Sequence, residues 1–221
     1  MSVVPLRQPD RGSALLCTLM VISLIATLAA ALALVVTTEA RVSGNYYGSQ
    51  QGLYAAEAGV ERAIGELRLL PTWRDVPGPS STTLAADFND ALAVARAPDG
   101  STLNLAQLTV RRQTESDAVY PAGPDRPVWR LYAHAPLDRM LPGAGHDTAY
   151  VVVWVADDSD DLDGNAAVDA NDIVMIRAEA FGARGSKRAV EATIAREEAM
   201  DATLPGVRRS DVRTIVWREV H

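Results

Sequence analysis

The chain has 221 residues, 48% of them hydrophobic, and 28 acidic side chains against 21 basic ones give a net charge of −7. That balance leaves no electrostatic footprint for nucleic acid, and a single cysteine, Cys17, excludes an internal disulfide. The length fits one domain plus an extended helix.

A short polar leader, residues 1–12, carries Arg7 and Arg11 and ends at Gly12. From Gly12 to Thr38 no residue is charged. Roughly 20 apolar residues span the hydrocarbon core of a bilayer, and a helix satisfies its own backbone groups there, so 13–38 is expected to be a transmembrane helix. Arg7 and Arg11 precede it and Glu39 follows, which puts the leader in the cytoplasm and the bulk of the chain outside. No proline occurs between Pro9 and Pro71, so the helix is expected to continue beyond the membrane through 39–69. There Val42, Tyr46, Ser49, Leu53, Ala56, Val60, Ala63 and Leu67 recur at spacings of three and four, an apolar stripe on one helix face. Gly44, Gly48, Gly52 and Ala56 form a second row without bulk. Glycines there cost a helix about 1 kcal/mol each relative to alanine. Small residues admit another helix closely; a segment that loosens during assembly, or a weak stretch held by its neighbours, are the other readings.

Three pieces of this region, RGSALL (11–16), SGNYYGSQQ (43–51) and YAAEAGVERA (54–63), stand in an order and spacing that resemble the N-terminal region of PilX-type minor pilins of type IV pili. GspK-type minor pseudopilins of type II secretion are close in pattern. The resemblance covers about residues 6–68. It implies a class III signal, cut by a prepilin peptidase after Gly12, with Ser13 as the new and methylated N-terminus. It further implies a single-pass inner-membrane protein with a periplasmic C-terminal domain, passing to the pilus or its tip. Its partners would be other minor pilins, the major pilin and a tip adhesin, and its role pilus assembly, priming or cell adhesion. The fifth residue after that cut is Cys17, where major pilins carry a glutamate that neutralises a neighbour's amine; without the carboxylate this pairing is lost. A subunit at the tip or in an initiation complex is the expectation that follows.

Pro71, Pro77, Gly78 and Pro79 end the helix, and residues 70–221 are expected to form a globular domain. Leu84, Phe88, Leu92 and Ala95 share a helical face, which predicts a short helix; Asp99-Gly100 is a turn signal; LNLAQLTVRR (103–112) reads as a strand; and RQTESDAVYPAGPDRP (112–127) reads as a surface loop. The remainder predicts an antiparallel meander with strands near 128–135, 149–156, 173–180, 187–195 and 212–219. Alternation from Trp129 to Ala135 reads as a half-buried strand, and AYVVVWVA (149–156) as a central one apolar on both faces. A hairpin around Gly182 to Gly185 would bring Glu179 near Lys187 or Arg188 and Arg177 near Glu191. Ile215 and Trp217 are expected to face inward. The fold class is α+β, a long N-terminal transmembrane helix packed on an antiparallel β-sheet in two layers, which is also the pilin-like architecture the resemblance implies.

Between two predicted strands lies DDSDDLDGNAAVDANDI, with six aspartates from Asp157 to Asp169 and Asp172 following. So much like charge repels itself unless neutralised, and Ca²⁺ takes six to eight hard oxygen ligands. Counted from Asp161, the residues Asp161, Asp163, Asn165, Ala167, Asp169 and Asp172 occupy positions one, three, five, seven, nine and twelve of a loop that resembles those of EF-hands and dockerins. It departs from them at Ala166, with the glycine one place early at Gly164, at Asp172 in place of a glutamate, and in its flanking strands. Asp157, Asp158 and Asp160 offer an alternative ligand set, and a solvated acidic hairpin tip is the plain alternative. Calcium is the one cofactor the sequence points to, in a structural role. His134, His146 and His221 have no metal-ligand spacing and no serine stands in a nucleophile elbow, so no enzyme is expected. The rivals to a pilus subunit are a type II secretion pseudopilin and a membrane-anchored, calcium-dependent binding or adhesion protein.

Overall fold

The structure, a computed structural model, describes residues 11–79, 94–120, 122–146, 148–200 and 208–220. The leader up to residue 10, most of the short helix expected around Leu84 to Leu92, and His221 lie outside them. The first element, α1 (Arg11–Leu67), is one helix of 57 residues. The chain divides within it into two units, Met1–Tyr46 and Tyr47–His221.

In the first unit α1 exposes an unbroken apolar surface that includes Leu15, Leu19, Ile22, Leu28 and Leu34. Its few hydroxyls are satisfied within the helix: Thr18, Ser23 and Thr27 donate to the carbonyls of Leu15, Met20 and Leu24 at 2.8–2.9 Å, and Thr37 and Thr38 both donate to that of Leu34. A polar group with no water to bond demands such a partner. From Ser13 the helix is long and apolar enough to cross a membrane. Val42 and Tyr46, assigned above to the packing stripe, are exposed; the stripe is buried only where a sheet covers it, from Ala55 onward.

In the second unit five strands, β3 (Arg130–Pro136), β4 (Ala149–Asp157), β5 (Ile173–Gly182), β6 (Lys187–Met200) and β7 (Arg208–Val220), follow one another as an antiparallel meander in chain order. Ala55, Ala56, Val60, Ala63, Ile64 and Leu67 of α1 pack on one face of this sheet, against Val151, Val153, Val155, Ile176, Ala178 and Ile194. The approach is closest at Gly59, where a Cβ atom would fall 2.7 Å from Val151 Cγ1 and 3.2 Å from Ala178 Cβ. The buried Trp73 closes the helix end by donating from Nε1 to the Leu67 carbonyl at 2.9 Å, one of the acceptors a helix C-terminus leaves open.

The expected two layers are in fact three. The opposite face of the sheet, Tyr150, Val152, Trp154, Ala156 and Met175, is buried under a hairpin of β1 (Val94–Arg96) and β2 (Thr102–Asn104) and the helix α2 (Leu105–Asp117). This corrects two sequence expectations. The strand read at 103–112 ends at Asn104, whose side chain caps α2 by accepting from Gln107 N at 3.1 Å, and the first six residues of the expected surface loop are helical. Leu105, Leu108, Arg112 and Ser116 form the buried face of α2, a three-and-four spacing obscured by an arginine and a serine. Ala95, placed above on a helix, lies in β1.

Two bulges correct the remainder. On β3 the register slips between Leu131 and Ala133, so Tyr132 has no partner opposite. The extra residue turns Tyr132 onto the α1 side beside Ala133 and Ala135, while Trp129 and Leu131 pack on the α2 side. The strand is therefore covered on both faces and not half-buried. On β7 the register slips at Ile215, since Thr193 faces Val216 and Ile194 faces Thr214. Ile215 and Trp217 are 46% and 39% exposed, not inward, because β7 is the outermost strand of the sheet and the bulge breaks their common alternation. Its inward contact is Val212. The reading of β4 as apolar on both faces agrees with nine buried residues in succession.

Three of the hairpin charges, Arg177, Glu179 and Glu191, are buried, while Lys187 reaches in from an exposed position. Glu179, 2% exposed, receives Lys187 at 2.7 Å, Arg177 at 3.1 Å, and Arg111 and Arg112 of α2 at 3.5 and 3.6 Å. Arg177 also reaches Glu191 at 3.3 Å, and Arg218 of β7 bonds the same carboxylate.

Candidate metal centre

The loop that joins β4 to β5 brings carboxylates together. Asp157 ends β4 as a buried strand residue, and the chain then turns through a series of side chains that accept from nearby backbone N–H groups. Asp158 accepts from Asp160 N at 3.0 Å, Asp163 from Asn165 N at 2.7 Å, Asn165 from Ala167 N at 3.3 Å, and Asp161 from Ala170 N at 2.7 Å. These local bonds are what Asp and Asn offer in turns. Gly164 supplies a positive φ of 77°, and its N–H donates to Asp125 Oδ1 at 2.7 Å. The loop also docks on the segment after α1: Asp169 N donates to the Arg74 carbonyl at 2.9 Å, and a Cβ on Gly78 would lie 3.4 Å from the Ala167 carbonyl.

Oxygens of Asp157, Asp161 and Asp163 lie within 4.8 Å of one another, and among the described residues this is the one group of three acidic, histidine or cysteine side chains so gathered. Asp157, Asp158, Asp161 and Asp169 are buried. Two carboxylates at that separation repel by roughly 3–4 kcal/mol at an effective dielectric near 20. The ion pairs of the molecule bring no lysine or arginine to them among the described residues. Burial, with the charges of Asp161, Asp169 and Asp158, pushes the Asp157 carboxyl up to about 8; burial, opposed by the Ile173 N–H, pushes Asp169 up to about 6.

Of the residues the sequence singled out, Asp161 and Asp163 meet at this group. Asn165 is exposed and occupied within its own turn, and Ala167 is half-buried beside Gly78. Asp172 is exposed with φ 61°, and its carbonyl accepts from Arg196 N of β6 at 2.9 Å. The third member of the group is Asp157, which the sequence offered only in the alternative set; its place at the end of an apolar strand was the signal. Elsewhere, Gly12 and Ser13 lie in the first turn of α1. Of the small-residue row, Gly44 stands in the first unit; Gly48 and Gly52 face Ser186 and Arg188 of the same chain, and Ala56 is buried against the sheet. Arg188 also donates from Nε to Ser49 Oγ at 2.9 Å. Gly59, where α1 approaches the sheet most closely, was missed because it lies off that row.

An apolar N-terminal helix whose later turns pack on an antiparallel sheet defines an α+β, pilin-like arrangement. Residues 11–61 match the family model described as PilX N-terminal. This segment is similar to the PilX N-terminal region; the five-stranded sheet and the acidic loop lie outside the match. No curated protein and no solved structure matches the chain.

Proposed function

We propose that the chain is a minor pilin-like subunit that takes part in assembly, priming or tip formation of a type IV pilus. The observation that carries this reading is the PilX N-terminal match, which begins at Arg11 beside the Gly12–Ser13 junction and runs along the helix into its sheet-packed turns. In this reading prepilin peptidase cuts after Gly12, Ser13 is methylated, and 13–38 holds the subunit in the inner membrane with residues 39–221 in the periplasm. The apolar surface of α1 then packs with the helices of other minor pilins and of the major pilin. The role is structural and not catalytic. The test is the mass of the N-terminal peptide of the native protein from membranes with and without prepilin peptidase. A peptidase-dependent start at Ser13 is expected. An intact Met1 start in both strains overturns the reading and leaves a membrane-anchored, calcium-dependent binding or adhesion protein, which the gathered carboxylates at Asp157 favour. A Ser13 start with the gene product in a type II secretion pseudopilus keeps the processing and changes the machine.

A further inference from the structure

We infer that the base of the β4–β5 loop is a calcium site whose protein ligands are Asp157, Asp161, Asp163 and Asp169, a set different from the loop register the sequence offers. Two separate observations carry it. The first is the convergence of three carboxylates within 4.8 Å, two of them buried. The second is Asp169, only 4% exposed. Its Oδ1 accepts from the N–H groups of Asn171 and Ile173 at 3.2 Å, while its Oδ2 is buried with no partner. A buried polar atom left unpaired is costly and rare. Asp169 is tied to these carboxylates through the chain, since the N–H of its neighbour Ala170 donates to Asp161 Oδ2 at 2.7 Å. A solvated acidic tip would expose its carboxylates, whereas three of the four proposed ligands, Asp157, Asp161 and Asp169, are buried.

The donor chemistry selects the ion. Every ligand in the group is a carboxylate oxygen, with no histidine or cysteine, which favours a hard cation over zinc or copper. The loop is irregular and its oxygens come from residues 157 to 169, a donor set without regular geometry that suits the six to eight oxygens of Ca²⁺ better than the strict octahedron of Mg²⁺. Water and backbone carbonyls complete the shell. Because Asp169 N bonds the Arg74 carbonyl, the ion would also fix the segment that follows α1. Nothing in this depends on which machine the chain joins.

The test uses the full chain in detergent, stripped of divalent ions and titrated with Ca²⁺ alone by calorimetry, with Mg²⁺ in parallel and thermal unfolding as a second readout. One Ca²⁺ per chain and a raised Tm are expected, with Mg²⁺ weaker. Asp163→Asn, at an exposed position, weakens Ca²⁺ binding by about tenfold or more, because affinity follows the charge of the ligand set, and Asp161→Asn does the same. Asp172→Asn keeps the wild-type affinity. Absence of binding by the wild-type chain at millimolar Ca²⁺ overturns the site, as does Mg²⁺ binding as tightly as Ca²⁺. Equal losses in Asp172→Asn and Asp163→Asn overturn the ligand set.

Discussion

At Glu179 four cations converge on one buried carboxylate, from the neighbouring strand positions Arg177 and Lys187 and from Arg111 and Arg112 of α2. Removing one partner of a buried charge group leaves the others uncompensated and costs about 3–5 kcal/mol. Glu179→Gln is therefore expected to lower stability by at least about 3 kcal/mol in denaturant unfolding, although it conserves shape. The pairing of Glu179 with Lys187 and of Arg177 with Glu191 was legible, because the hairpin fixes which residues face each other. The burial of Glu179, Arg177 and Glu191 was not, because the helix that covers them was read as a strand. Glycines separate in the same way. Gly59→Ala forces a methyl into Val151, which a β-branched side chain cannot swing away from, and overpacking costs about 1–3 kcal/mol. Gly65→Ala meets nothing within 4 Å and is expected to raise stability by about 0.5–1 kcal/mol through helix propensity. Opposite shifts of Tm in the two variants check both statements.

Among the elements, the meander was readable because β4 and its neighbours carry long runs of valine, isoleucine and alanine bounded by turn residues. The helix α2 was not, since its buried stripe includes Arg112 and Ser116 in place of apolar residues, and the alternation of Leu103 and Leu105 around Asn104 imitates a strand. Its start depends on Asn104; Asn104→Ala is expected to cost about 1 kcal/mol, read from the unfolding midpoint. The edge strand β7 defeated the pattern for a different reason. A bulge adds one residue, so that equal spacing in sequence no longer means the same side of the sheet. Ile215→Thr is expected to change stability by less than about 0.5 kcal/mol, where an inward isoleucine would cost several times that; equilibrium unfolding distinguishes the two.

At the scale of the molecule, the apolar N-terminal half of α1 was the plainest feature of the sequence, because a membrane segment is written in composition alone. The carboxylate group was half legible: the aspartates are evident, but which of them meet depends on where β4 stops, and that is decided by packing on both faces of the sheet. The second unit has its own two-sided core. A fragment from Tyr47 onward is therefore expected to fold without the membrane segment, and a near-ultraviolet circular dichroism signal from Trp73 and Trp154, both fully buried, checks this. The order of the strands has a kinetic meaning as well. Each strand of the five pairs only with those next to it in the chain, so no ladder waits on a distant segment, the longest connection being the loop 158–172, and local closures are the fast ones. The sheet can therefore zip up hairpin by hairpin in the order of synthesis, with no early strand left waiting, edge open, for a distant partner.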